Sequence, residues 1–253
     1  MDASDEMTLS TASNISSHSS SRPTTDTHGF DRPPTARDIE VRLLRPDDAD
    51  GLMELEEVKW TEEQSGSREG LIQRIEENPQ LNAGAFSVIT GKVLTSLFVK
   101  PITAEKARTA LSWEECAKAD SPSPRPNAKR SLFGVSLSSI DGDAVTAVFQ
   151  FFLPHVRALG YHDVYLGSPL PGLDAWKRAN PEVPVGDYVY AKRNGLPLDP
   201  QLRYYHGKGF QSIVACKENY FPHERSLDYA AVIRGDIDDL ILALPKAADP
   251  VRS

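Results

Sequence analysis

The stretch Ser131–Ser168, "SLFGVSLSSIDGDAVTAVFQFFLPHVRALGYHDVYLGS", decides the fold. Its first nine residues read as a strand. "DGDAVTAVFQFFLPHVRALG" follows as a long helix that stops at Gly160, with Pro154 placed to kink it. "YHDVYLGS" is the next strand. A strand, a long helix and a strand in immediate succession predict an α/β architecture.

The flanks extend that pattern. Ile39, Val41 and Leu43 alternate with polar residues, as in a half-buried strand. Pro46-Asp47-Asp48 then opens a helix with Leu52, Leu55 and Val58 on one face. Ser67 is the N-cap expected for a second helix, with Leu71, Ile72 and Ile75 inward. "AGAFSVITGKVLTSLFVK" predicts two strands joined at Thr90-Gly91-Lys92. Residues 103–119 read as helix, and "DSPSPRPNAKR" as a Pro-rich linker. After the central unit, "PLPGLDAWKRANPEVPVGDYVYAKRNGLPL" reads as a long packed loop anchored by Trp176, Tyr188 and Tyr190. Asp199 or Pro200 starts the helix "PQLRYYHGKG". "FQSIVACKENYF" and "SLDYAAVIRG" predict an antiparallel strand pair, and "DIDDLILAL" a short last helix.

The chain has 253 residues, 40% hydrophobic and 25% charged, with a formal net charge of −8. That composition supports a sizeable core. It argues against a basic surface for nucleic acid or membrane. No run approaches the about 18 apolar residues of a membrane span. Nothing at the N-terminus reads as a signal peptide. Cys116 and Cys216 read as reduced core thiols in a cytoplasmic protein, and no metal-ligand spacing is present. Residues 1–37 read as a disordered Ser/Thr-rich tail. Residues 38–235 then form one domain carrying an insert at 101–130, and 236–253 a short helix and tail.

The opening "VRLLRPDDADGLMELE", the central strand and long helix, and the closing "LRYYHGKGF" resemble the GNAT acyltransferase superfamily over roughly 38–235. The segments "GSPLPGLDAW", "GDYVYAKRNGLPLDPQ" and "ENYFPHERSLDYAAVI" look most like GNAT domains found beside nitrilases and in polyketide loading modules. The resemblance implies a mixed, mostly antiparallel twisted sheet with helices on both faces. It implies an acyl-CoA such as acetyl-CoA as co-substrate, with no metal. The pantetheine arm would pair with Val135, Ser136 and Leu137. The pyrophosphate would sit on the turn and first helical residues Gly142, Asp143, Ala144 and Thr146, since a helix N-terminus offers unpaired N–H donors.

That turn departs from the family. It reads "SSIDGDAVTA", without the family's Arg or Gln and with Asp141 and Asp143 where phosphates approach. Two readings stay open: plain helix capping without normal CoA binding, or CoA held by altered contacts helped by Lys129 and Arg130. The resemblance also implies that Tyr205, four residues before Gly209, protonates the leaving thiolate. A phenol is a fitting acid for a thiolate. Tyr204 points elsewhere on the same helix. Among candidate bases, Glu54 and Glu56 read as solvated, leaving His155, His162 and His206. In loading-module relatives a His and a Thr serve decarboxylation; His162 and Thr146 are the nearest counterparts here. Leu170, Gly172 and Trp176 are the expected substrate wall. The leading expectation is acyl transfer to a small-molecule amine by a monomer or homodimer. The alternatives are a non-catalytic thioester-binding module, or chemistry on carrier-bound acyl thioesters.

Overall fold

The computed structural model describes residues 38–59, 66–123 and 129–245. The expected tail at 1–37, part of the Pro-rich segment (124–128) and 246–253 lie outside the described residues. Strands β1 (Ile39–Leu43), β2 (Asn82–Ser87), β3 (Val93–Ile102), β4 (Arg130–Ser139), β5 (Tyr161–Pro169), β8 (Ser212–Lys217) and β9 (Ala230–Asp236) form one sheet in the order β1-β2-β3-β4-β5-β9-β8. Every neighbouring pair is antiparallel except β4 and β5, which run parallel. A parallel pair needs a crossover, and α5 (Gly142–Ala158) supplies it. The β2–β3 turn forms where expected, with Gly91 at φ +71°.

Helix α5 packs on one face of the sheet, joined by α8 (Pro200–Gly207) and α9 (Ile237–Leu242). Val148, Phe152 and Val156 of α5 are buried there, with Ile237 and Leu240 of α9. The other face carries α1 (Ala49–Lys59) and α2 (Arg68–Glu77), and the short helices α3 (Ala104–Thr109) and α4 (Trp113–Ala117). Ser67 caps α2 as expected, its Oγ accepting from Gly70 N at 3.1 Å. Burying side chains such as Leu52, Leu55 and Leu71 contributes about 1.5–3 kcal/mol each.

Three expectations are corrected. Val58 is 63% exposed, and the inward position after Leu55 belongs to Glu56, which is 4% exposed. Residues 103–119 are two helices, each with its own cap: Thr103 Oγ1 accepts from Lys106 N, and Ser112 Oγ from Glu115 N. The long loop is largely folded, into α6 (Leu173–Ala179), α7 (Val185–Val189) and a small hairpin of β6 (Lys192–Arg193) and β7 (Leu196–Pro197).

Candidate functional site

The central strands come apart. β4 and β5 pair through Leu132–Val164 and Phe133–Tyr165, and the ladder stops there. Beyond that point β4 stays with β3 and β5 with β9. The register of β3 and β4 shifts at the same place: Val99 faces Gly134 and Phe98 faces Ser136, so Val135 is an extra residue. A bulge bends its strand, and here it turns the end of β4 away from β5. The β4 backbone edge past Phe133 has no ladder partner on the β5 side. On the α5 face the split opens on an apolar cavity of about 110 Å³. Leu137 and Gly134 of β4, Leu166 of β5, Thr146 and Phe149 of α5 and Tyr205 of α8 line it. Gly134 lets Leu166 pack close: a Cβ there would lie 2.3 Å from Leu166 Cδ2 and would push that side chain aside.

Helix α8 presents Tyr205 to this cavity. Asp199 caps the helix, and Gly209 at φ +101° ends it. Tyr205 is 6% exposed, its ring edge-on to Phe210 at 5.7 Å between centroids. Burial pushes the phenol well above its usual range, against a hydrogen bond from Gln201 that acts the other way. The hydroxyl therefore stays protonated and is a donor. Tyr204 does not pack elsewhere: it lines the same cavity, its ring 5.6 Å from that of Tyr205.

The β4–α5 turn is self-capped. Asp141 Oδ1 accepts from Ala144 N at 2.8 Å, and Ser139 Oγ bonds the Asp141 backbone. Gly142 and Asp143 are exposed in the first turn. The carboxylate of Asp141 thus occupies a donor that a phosphate would use. Arg130 gives no help: it bonds Leu159 O and Tyr161 Oη at 2.7 Å each. With Lys129 it stands at the far end of a ten-residue strand, about 30 Å from the turn.

Other expected residues fall outside the cavity. His162 lies at the closed end of the β4–β5 pair, before the split, near Asp238. His155 bonds Gln80 O and stacks on Phe151. His206 sits in the last turn of α8 and does not line the cavity. The expected substrate wall lies outside this cavity. Leu170 is fully buried and its N–H donates to Ser226 Oγ; Gly172 N donates to Asp199 Oδ2; Trp176 packs on Tyr188 at 5.1 Å. Asp199 also accepts from Tyr188 Oη at 2.8 Å and from Gln201 and Leu202 N–H.

The face of β4 opposite the cavity carries a polar cluster that sequence reasoning missed. Ser138 Oγ donates to Glu56 Oε1 at 2.7 Å, both residues buried. Ser136 and Ser96 Oγ are buried without a hydrogen-bond partner among the described residues. The Arg74 guanidinium lies 5.9 Å over the ring of Phe98, which pairs with Ser136 across the strands. Lys100 Nζ donates to Ala117 O and Ala119 O. Burial lowers the pKa of both Arg74 and Lys100. Arg74 and Lys100 line a groove of about 1150 Å³ between α2, α4 and the residues around Tyr220. Among the described residues, no cluster of His, Cys, Asp or Glu has the makings of a metal site, and no helix is long and apolar enough to cross a membrane.

No family model matches the chain, and no curated protein matches it. Solved structures do. A GNAT-like decarboxylase, GphF in complex with isobutyryl-CoA, is 22% identical with a TM-score of 0.62, covering 78% of this chain and 99% of that one. The loading GNATL domain of CurA from Lyngbya majuscula is 16% identical at TM-score 0.62, covering 79% and 98%. A malonyl-CoA decarboxylase from Rhodopseudomonas palustris is 15% identical at 0.52, covering 82% of this chain and 58% of that one. With a seven-stranded, mostly antiparallel sheet whose central parallel strands split at a bulge, and with these likenesses, the chain has the GNAT fold.

Proposed function

We propose that this chain is an acyl-thioester enzyme that transfers an acyl group from an acyl-CoA, such as acetyl-CoA, to a small-molecule amine. The observation that carries this reading is the split of β4 and β5 at Val135 beside an apolar cavity walled by Tyr205. The pantetheine arm pairs with the β4 edge at Val135–Leu137, and the thioester lies at the bulge. The amine lone pair attacks the thioester carbonyl carbon, the C–S bond then breaks, and the sulfur leaves as thiolate. Tyr205, held protonated by burial, donates to that sulfur. The same burial raises the thiolate's own basicity, so donor and acceptor stay matched. Glu56, which accepts from Ser138 on β4, is the carboxylate we assign to take the amine proton, from the opposite face of the sheet.

The test is thermal stability with acetyl-CoA and with pantetheine. A ligand at 100 times its Kd adds about 2.7 kcal/mol, a shift of several degrees. Stabilisation by acetyl-CoA supports the reading, and no shift with either points to a module that does not bind thioesters in this cleft. The acid-capped turn favours a second reading, chemistry on a carrier-borne pantetheine with a single phosphate, and pantetheine alone would then stabilise. Decarboxylation is the reaction named for GphF.

The turn yields a further prediction. Asp141→Ser with Asp143→Asn keeps a capping hydroxyl and removes two charges. Each carboxylate–phosphate contact costs about 1 kcal/mol in water. CoA affinity by calorimetry is therefore expected to rise at least about tenfold, with pantetheine affinity unchanged. Equal gains for both ligands would show that phosphate repulsion is not the cause.

A further inference from the structure

The groove on the face opposite the thioester cavity has a definite chemistry. Gly66 just before α2, Gly70 in its first turn and Arg74 in its last turn are spaced four apart, and all three line the groove. A Cβ on Gly66 would lie 3.8 Å from Arg74 Nη1, so Gly66 stands beside the guanidinium. Arg74 is half-buried over Phe98, and its guanidinium has no hydrogen bond or ion pair among the described residues. Glu56 is the acidic group whose field reaches it, and Glu56 is already engaged by Ser138. The other charges of the groove are taken up elsewhere. Glu114 pairs with Lys118, Glu77 accepts from Gln73, and the fields of Glu77 and Asp120 fall on Lys100. Trp113, Tyr220 and Phe221 add an aromatic wall. A half-buried guanidinium with no ion pair among the described residues, beside an aromatic wall, fits a planar carboxylate on an otherwise apolar small molecule.

We propose that the groove binds the amine substrate by a carboxylate, paired to Arg74, so that the acceptor is an apolar amino acid rather than a cationic polyamine. The inference rests on the acyl-transfer reading above. The amine of such a molecule points toward the bulge, because Arg74 stands over Phe98 and Phe98 pairs with Ser136, next to Val135. The hydroxyls of Ser136 and Ser96 are buried on this same face of the sheet, beneath the groove rather than in its wall.

The product class supplies a probe that needs no turnover. Saturation-transfer NMR on the full chain compares N-acetyl-L-leucine and N-acetyl-L-phenylalanine with N-isopentylacetamide, which lacks the carboxylate. The two carboxylates are expected to bind, the neutral amide at least about tenfold more weakly. Arg74→Gln is expected to abolish the difference, and Arg74→Lys to restore part of it, with melting temperatures of both variants near that of the parent. Equal binding of acid and amide, no binding of the acids, or full binding by Arg74→Gln would overturn the proposal. Acetyl-CoA stabilisation measured alongside separates the two ideas. If acetyl-CoA stabilises and the acids fail, only the acceptor assignment falls. If the acids bind through Arg74 and acetyl-CoA does not stabilise, the groove stands and the transferase reading falls.

Discussion

Asp199→Ala is expected to lower the melting temperature by about 10 °C. The carboxylate is 1% exposed and accepts from four donors: Tyr188 Oη, Gly172 N, Gln201 N and Leu202 N. Removing it deletes the cap of α8, worth about 1 kcal/mol, and strands a buried phenol and a backbone N–H at about 1–3 kcal/mol each. A total of about 3–7 kcal/mol converts at roughly 2–4 °C per kcal/mol for a domain of this size. Tyr188→Phe removes one donor and leaves the cap, so about a third of that shift is expected. The site leaves no slack, since a Cβ on Gly172 would sit 2.3 Å from Tyr188 Oη. A thermal melt that moves less than about 3 °C for Asp199→Ala would mean that water replaces the carboxylate.

Tyr205→Phe is expected to cut kcat about 10²–10³-fold while leaving the Kd for the thioester unchanged. A positioned general acid contributes about that much. Phenylalanine preserves the edge contacts with Phe210 and Tyr204 and the apolar wall of the cavity. Because burial raises the phenol's pKa, the parent should show no loss of rate from Tyr205 ionising as pH approaches 10. Single-turnover thiol release measures both effects. A loss under about threefold would mean that solvent protonates the thiolate.

The order of strands and helices was legible because it is written in local periodicity. Ile39, Val41 and Leu43 alternate, Ser67 and Asp199 mark helix starts, and Gly209 marks a stop. The caps observed at Ser67 and Asp199 use those same side chains. Tyr205 could be placed beside the cavity because its motif sits in such an element. Glu56 could not be placed, because a glutamate one step past Leu55 looks like the polar flank of α1. Its burial is decided by Ser138, 82 residues away in sequence. His162 was misplaced for a related reason: its distance from the split depends on where the parallel ladder stops, and no local pattern encodes that register. The 169–198 segment read as loop because α6 and α7 start at Gly172 and Pro184, neither of which makes a side-chain cap. They are held instead by Trp176, Tyr188 and Asp199.

The strand order has a consequence for the chain as it is made. β5 receives its second neighbour from β9, not from the strand that follows it in sequence. A ribosome must add about sixty residues after Pro169 before that partner exists. Through that interval Val164, Tyr165 and Leu166 belong to an edge that the finished sheet hides. An uncovered apolar edge invites pairing with another nascent chain. Holdase chaperones, or slower initiation that spaces ribosomes apart, are therefore expected to raise the yield of native protein more than any change in final stability.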